Sequence, residues 1–522
     1  MRKYYPLLIA LLGVAVGVLL AASVATVRNR RPKKVSSGDW RKLDLVMEYV
    51  DANYVDTIDY KDVTEAAVKT ALSRLDPHSV YMPPVELKEA ETDLAGQFEG
   101  IGIQFNVPND TAIVLEVIPG GPSEKIGLQP GDRILKVDST VIAGVKFPQD
   151  SMVRRMKGPA GTKVLITVGR DGDVIPFEIT RGKIPTHSVD AAFMVSDTVG
   201  YVRVSKFSRT TFSEFVKAGL DLSSKGMKTM IVDLRGNSGG FFDQALNMGN
   251  LFLPKGAGIV YIEGRRRARE EYKSDGKGLF KEMGLKVLID DGSASSSEIF
   301  AGAIQDNDRG PIIGRRSYGK GLVQEPVYFT DCSGVRITVA RFYTPSGRCI
   351  QKPYGDDYAY DILKRYRDGE MVVADSIKVD KSLEFKTVSG RTVYGGGGIV
   401  PDVFVPIDTT RVSPFYVECN RKATAMRFAS WWFDGHKTEL QAITDYGALT
   451  RYLDSAGLER HFLSFAASRD GLRPEPRAWA AEKDYMMTSV RALVGRYSKL
   501  GDEAFYHLYL SVDNVFETAI AN

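Results

Sequence analysis

At 522 residues the chain is too long for one hydrophobic core, so two to four domains are expected. Its 43% hydrophobic and 26% charged residues are ordinary globular composition, which excludes disorder as the default. The net charge of +4 arises at the N-terminus, where residues 1 to 40 hold seven Lys or Arg against Asp39 alone; the remainder carries 62 basic and 64 acidic residues, and no nucleic-acid partner is expected. Three cysteines, Cys332, Cys349 and Cys419, with no CxxC spacing, point away from zinc or a redox dithiol and leave room for one disulfide.

Taken in order, Arg2 and Lys3 precede an uncharged run from Tyr4 to Val27, which Arg28, Arg30, Arg31, Lys33 and Lys34 close. This is a targeting segment: its length suits a bilayer-spanning helix, and Ser23-Val24-Ala25 would also serve as a cleavage site. We read residues 1–37 as an uncleaved membrane anchor and basic linker. Basic residues on both flanks leave its orientation undecided by charge.

Residues 38–96 read as helical, with Leu43, Val46, Met47 and Val50 at helical spacing and a second run from Val63 to Leu75. Asp76-Pro77-His78-Ser79 stops that helix, and His78 is read as structural. From 97 to 182 the texture changes to short β runs punctuated by glycine, among them Ala112-Ile-Val-Leu-Glu-Val-Ile and Val164-Leu-Ile-Thr-Val. With Gly120-Gly-Pro-Ser-Glu-Lys-Ile-Gly-Leu-Gln-Pro-Gly-Asp132 between two of them, this stretch resembles a PDZ domain. The resemblance puts Gly100, Ile101, Gly102 and Ile103 at the loop that receives a peptide's terminal carboxylate. Glycines there let consecutive backbone N–H groups turn toward an anion. The plainer alternative is a small β-rich domain in which these residues only enter a strand.

From 183 to 408 strands and helices alternate as in an α/β domain. Val199-Gly-Tyr-Val-Arg-Val reads as a strand, Phe212 to Ser224 as a helix, and Met230-Ile-Val-Asp-Leu as a buried strand running into Arg235-Gly-Asn-Ser-Gly-Gly240. Glycines in that turn can expose donors for an oxyanion, or merely permit the turn. The Arg265 to Arg267 run, followed by Glu270 and Glu271, is a solvated loop face.

Leu285-Lys-Val-Leu-Ile is the next expected strand, Asp290 to Ala294 a loop, and a helix follows with Ile299, Phe300, Ala303 and Ile304 on one face. Ser295-Ser-Ser-Glu298 fits a capping box, in which Ser295 only satisfies the helix start. Further on, Gly314-Arg-Arg-Ser-Tyr-Gly319-Lys320-Gly321 nearly matches a phosphate-binding loop. It fails because Gly321 lacks the hydroxyl that holds magnesium and a strand, not a helix, follows. A lysine base is the other reading of Lys320. Free lysine titrates near ~10.4, so a neutral base near pH 7 needs its charged form destabilised by roughly 4 kcal/mol. Apolar neighbours Tyr318, Leu322 and Val323 and the positive Arg315 and Arg316 are the expected sources.

The combined pattern, SASSSEI and then YGKGLVQ 25 residues on, resembles the carboxyl-terminal processing, or tail-specific, serine proteases. The resemblance implies Ser295 as nucleophile, Lys320 as general base and Gln324 as the residue orienting the lysine. It implies oxyanion donors at Ser296 and Gly239, with Gly240 as the neighbouring alternative. It extends to Leu75-Asp-Pro-His-Ser, Tyr343-Thr-Pro-Ser-Gly-Arg-Cys-Ile-Gln and Gly398-Ile-Val-Pro-Asp402, covering roughly residues 42 to 405. Two departures stand out: Ser296 replaces the usual alanine, and Lys352 to Gly397 is inserted between motifs that normally lie closer.

The expected architecture is an α/β (α+β) protease core, 183–408, with an inserted β-rich PDZ domain, 97–182, a helical N-terminal part, and a helical extension, 409–522, carrying Trp431, Trp432, Phe505, Leu508 and Leu510. The extension is read as packing or a dimer surface, so a homo-oligomer stays open. The resemblance implies an endopeptidase of the cell envelope, with its protease domain outside the cytoplasm, acting on proteins with free, apolar C-termini. Neither metal nor cofactor is implied. His78, His187, His436, His461 and His507 lie outside the serine and lysine motifs. The non-enzymatic alternative is a scaffold that binds protein C-termini.

Overall fold

The computed structural model describes residues 37–107, 110–118, 120–170, 172–355, 357–409 and 412–522. The Tyr4–Val27 run expected as an anchor lies outside them. Among the described residues no helix is long and apolar enough to cross a membrane. Two compact units are present, Met1–Arg74 and Leu75–Asn522. The first shows helices Ser37–Asn53 and Tyr60–Ser73. Asp59 caps the second by accepting the Lys61 and Asp62 N–H groups at 2.9 and 3.3 Å.

The second unit is built on a six-stranded sheet in the order Val189–Met194, Val199–Val204, Thr229–Asp233, Gly284–Ile289, Ile312–Gly314, Val403–Phe404. The first pair is antiparallel and the rest are parallel. Parallel neighbours need crossovers, and helices Thr211–Ser224 and Ser296–Asp306 provide two of them. The strands are apolar on both faces because both faces are covered. On one face Phe215, Phe252, Phe280 and Phe300 pack edge-on or tilted into the main core. Each such ring contributes roughly 1.5–3 kcal/mol by leaving water. On the other face Tyr201, Ile231, Leu288 and Ile313 are covered by Leu510, Val515, Phe516 and Ala519 from the C-terminal end of the chain.

A second sheet pairs Gly334–Tyr343 with Val80–Met82, Gly258–Gly264 and, on its other side, Leu322–Tyr328. Pro326 is tolerated because, among the described residues, Leu322–Tyr328 pairs only with Gly334–Tyr343. The antiparallel ribbon of Gln97–Gly100 and Gly182–Pro185 leads into and out of a separate β domain with its own core, including Ile101, Val114, Ile134, Ile166 and Ile179. Its sheet runs in the order Ile103–Asn106, Ala112–Val117, Arg133–Val137, Lys163–Arg170, Asp173–Thr180.

The C-terminal extension folds as helices around Phe428, Trp432, Phe433 and Phe462, while Trp431 is 42% exposed. It also touches the β domain: Asn106 Nδ2 donates to Ser430 Oγ at 3.1 Å, and Arg133 pairs with Asp434 at 2.6 Å. The packing role expected of this extension is therefore twofold, toward the six-stranded sheet and toward the β domain. All three cysteines are free thiols.

Candidate active site

The carboxyl ends of three parallel strands converge on the site, where open α/β sheets place ligands. Strand Gly284–Ile289 runs into the loop before Ser295, Thr229–Asp233 into the Leu234–Gly240 turn, and Ile312–Gly314 into the loop carrying Lys320. Ser295 stands at the N-cap of helix Ser296–Asp306 with Glu298 three residues on, as the capping-box pattern predicts. Its backbone is unusual, with φ 53° and ψ −111°. A non-glycine residue there stores about 1–3 kcal/mol, which the surroundings must hold.

Glu298 does much of that holding. Its fully buried carboxylate accepts the N–H of Ser295 at 2.8 Å and of Lys320 at 2.9 Å on the same oxygen, Oε2. The other oxygen accepts the N–H of Gly319 at 2.7 Å and the hydroxyl of Ser317 at 2.5 Å. One side chain thus ties the Ser295 backbone to that of Lys320. Burial pushes its pKa up against these four donors. The capping-box pattern revealed Glu298 as a helix-start residue; its reach to Lys320 depends on a loop folded back over the helix.

The Leu234–Gly240 turn is laced to the loop before Ser295. Asn237 accepts the Ala294 N–H at 2.9 Å and the Ser297 hydroxyl at 2.8 Å on its carbonyl, and Ser293 Oγ donates to the Leu234 carbonyl at 2.8 Å. Gly239, φ +101°, lies so close that an added Cβ would stand 2.7 Å from Ser295 Cβ and 3.0 Å from Ser296 N. The Gly239 N–H donates to Asn237 Oδ1 at 2.9 Å. Among the described residues no acceptor engages the N–H of Ser296 or of Gly240. The expected donor Gly239 is therefore occupied in this state, and its neighbour Gly240 is open. Gly239→Ala is expected to lower kcat by about 10²–10³-fold by displacing Ser295 and the turn. Steady-state kinetics checks this, and an unchanged kcat would show that the turn tolerates a side chain.

Lys320 is half-buried between Gly319 and Gly321. Burial lowers its pKa, and the positive charge of Arg336 lowers it further, against the opposing carboxylates of Glu298 and Asp76. The expected neighbours Arg315 and Arg316 are not the source: Arg316 is paired with Glu370 and Arg315 lies 3.8 Å from Asp291. Arg336 comes instead from the facing strand, opposite Pro326, so only strand register brings it near. Of the expected apolar neighbours, Leu322 is buried, whereas the Tyr318 ring lies under Lys352, 4.2 Å from Nζ. Gln324, on the adjoining strand, donates from Nε2 to the His78 carbonyl at 2.6 Å. The Ser295 and Lys320 side chains are not hydrogen-bonded to each other here, a geometry that tightens in many enzymes only when substrate binds.

The β-domain loop expected to receive a carboxylate has a defined backbone. Ile101 and Gly102 lie between strands, Gly102 has φ +80°, and Ser123 donates from both N and Oγ to the Ile101 carbonyl, at 3.0 and 2.6 Å. Among the described residues no acceptor takes the N–H of Ile101 or Gly102. The Ile101 side chain is core, so only the backbone of that residue is left to meet a ligand at this loop.

The profile of Peptidase family S41 matches residues 198–360, and that of the PDZ domain matches residues 100–180. The chain is 34% identical over 324 residues to the carboxy-terminal processing protease CtpA of Bacillus subtilis (strain 168), across 61% of this chain and 69% of that one. It is 36% identical to a carboxy-terminal-processing protease of Bartonella bacilliformis, across 64% of this chain and 78% of that one. The chain belongs to the carboxy-terminal processing protease family. A solved photosystem II D1 C-terminal processing protease is 26% identical, covering 71% of this chain and 88% of its own, with a TM-score of 0.37. The protease is thus a serine-type peptidase with a PDZ domain set into an α/β core, as the sequence resemblance implied.

Proposed function

We propose that the protease captures the free carboxylate of a protein's C-terminal tail on the backbone of Gly100–Ile103 and cleaves within the tail using Ser295, Lys320 and Gln324. The observation that carries this is the shared Glu298 oxygen, which holds the backbones of Ser295 and Lys320 side by side at the strand ends. Ser295 Oγ attacks the scissile carbonyl carbon while Lys320 Nζ takes the hydroxyl proton. The developing oxyanion is received by the Ser296 N–H and by the Gly239–Gly240 turn. There the Gly240 N–H is open, and the Gly239 N–H becomes so if Asn237 releases it. Collapse breaks the C–N bond, Lys320 returns the proton to the leaving amine, and an acyl-enzyme remains. Lys320 then takes a proton from water, whose oxygen adds to the acyl carbon; collapse breaks the bond to Ser295 Oγ, which takes that proton back from Lys320, and the new carboxyl group releases its remaining proton to solvent.

The same reading places the protease domain outside the cytoplasm, held by the Tyr4–Val27 segment, with apolar tails as substrates. A peptide with a free apolar C-terminus, compared with its amidated twin, tests the capture step. Amidation is expected to lower kcat/KM about 10- to 100-fold through lost charge-assisted hydrogen bonds. Equal values would remove carboxylate capture, and binding without turnover would favour a scaffold.

A further inference from the structure

The Lys352–Gly397 insertion has no counterpart in the motif spacing, yet its buried polar side chains converge on the loop that carries Lys320. It contains the single turn Tyr358–Tyr360, helix Asp361–Arg367 and a small hairpin, Glu384–Lys386 with Thr392–Tyr394. Arg365, whose side chain is 4% exposed, donates to the Ser317 carbonyl at 2.8 Å and the Tyr318 carbonyl at 3.2 Å, and pairs with Asp361 at 2.9 Å. Glu370 takes the Arg316 guanidinium with both oxygens. The Lys352 N–H donates to the Gly319 carbonyl at 3.0 Å. The Lys352 ammonium lies 4.2 Å and 4.3 Å from the centres of the Tyr318 and Tyr358 rings. Just ahead of the insertion, Gln351 Oε1 accepts the Gly321 N–H at 3.0 Å, and its Nε2 donates to Tyr358 Oη at 3.2 Å.

A second line runs from Tyr358 to Gln324. Tyr358 Oη is hydrogen-bonded to His78 Nε2 at 2.5 Å, with the rings edge to face at 5.4 Å. Burial, with Lys320 close by, lowers the His78 pKa to about 4, so the ring is neutral at physiological pH. The His78 carbonyl receives Gln324 Nε2, which leaves the amide oxygen as the acceptor end of that side chain. Gly319 and Gly321 give the Lys320 loop little stiffness of its own, whereas a catalytic group must be held to about 0.5 Å.

We propose that the Lys352–Gly397 segment is a positioning element for the general base, with Arg365 fixing the Lys320 loop and Tyr358 fixing Gln324 through His78. The inference rests on Lys320 acting as the base, and it gives the insertion a role in the reaction rather than in substrate capture. Lys320 is faced by Arg336 from the adjacent strand, Glu298 from the nucleophile helix, and Asp76 and His78 from the Asp76–Ser79 segment. Loosening the loop admits water to this group and lets the lysine regain its ordinary affinity for a proton.

The test measures kcat and KM from acid to alkaline pH for the full chain, Tyr358→Phe, Arg365→Met, Arg365→Lys and Lys320→Ala, using one free-tailed peptide. Tyr358→Phe and Arg365→Met are expected to lose about tenfold to a hundredfold in kcat with KM unchanged, as small misplacements of reacting groups do. Their acid limb is expected to move to higher pH, and Arg365→Lys to recover part of the loss. Tyr358→Phe removes one oxygen and keeps the ring, so it carries the test should Arg365→Met not fold. Wild-type kcat and acid limb in Tyr358→Phe, or a change confined to KM, would overturn the positioning role. Activity surviving in Lys320→Ala would instead overturn the general-base reading beneath it.

Discussion

Ser295→Ala is expected to abolish tail cleavage while leaving capture of the tail intact, with a fall in kcat on the order of 10⁴-fold or more, as for removal of other serine nucleophiles. Lys320→Ala is expected to lose nearly as much, because residues that act as a unit fail as a unit. The two together are expected to cost little more than either alone. Peptide cleavage followed by chromatography checks this, and equal cleavage by wild type and both variants would overturn the mechanism. The wild-type pH profile has a definite sign. In the proposed mechanism the neutral amine is the active form and burial lowers its pKa, so activity is expected to rise with pH through a midpoint below that of ordinary lysine. A flat profile would count against the lysine.

Asp233→Ala is expected to destabilise the protein by about 3–5 kcal/mol, because removing one member of a buried ion network strands its partners. Asp233 is fully buried at the end of its strand, receiving the Tyr201 hydroxyl at 2.7 Å, Arg203 at 2.9 Å and Arg235 at 2.6 Å. Arg235 is paired in turn with Asp513 at 2.7 Å, which caps the last helix by accepting the Phe516 N–H. One network therefore joins the sheet, the turn beside Ser295 and the end of the chain. Burial alone would raise the Asp233 pKa, but Arg235 and Arg203 outweigh it and hold the carboxylate well below the usual range. Because the folded-state pKa is depressed, the contribution is full above the unfolded value near ~3.9 and disappears as pH falls through the folded value. Denaturant midpoints at neutral pH, wild type against Asp233→Ala, check the magnitude. A difference under about 1 kcal/mol would show that the arginines find other partners.

Much of the site was legible before folding because its chemistry lies in short contiguous runs. The serine loop, the GKG loop and the glycine turn each follow a strand, and local pattern identifies strand, turn and helix start. The β domain was legible for the same reason, its glycines and Gly-Pro-Ser segment marking turns that few residues tolerate. Less legible was the source of the low lysine pKa. Adjacent arginines in the chain were the natural guess, yet Arg316 turns to Glu370, and Arg336 arrives through pairing of Leu322–Tyr328 with Gly334–Tyr343.

By itself, then, the sequence determined the alternation of elements and the inserted β domain, and it singled out the candidate serine and lysine, because these depend on residue type and near neighbours. The tertiary structure alone decided how those parts meet. Glu298 became the bridge between the backbones of Ser295 and Lys320, Asn237 occupied the Gly239 N–H, and an insertion without a recognisable motif brought Arg365 to the Lys320 loop and Tyr358 to His78. Each of these depends on buried hydrogen bonds between residues far apart in the chain, and such partners are chosen by packing, not by spacing.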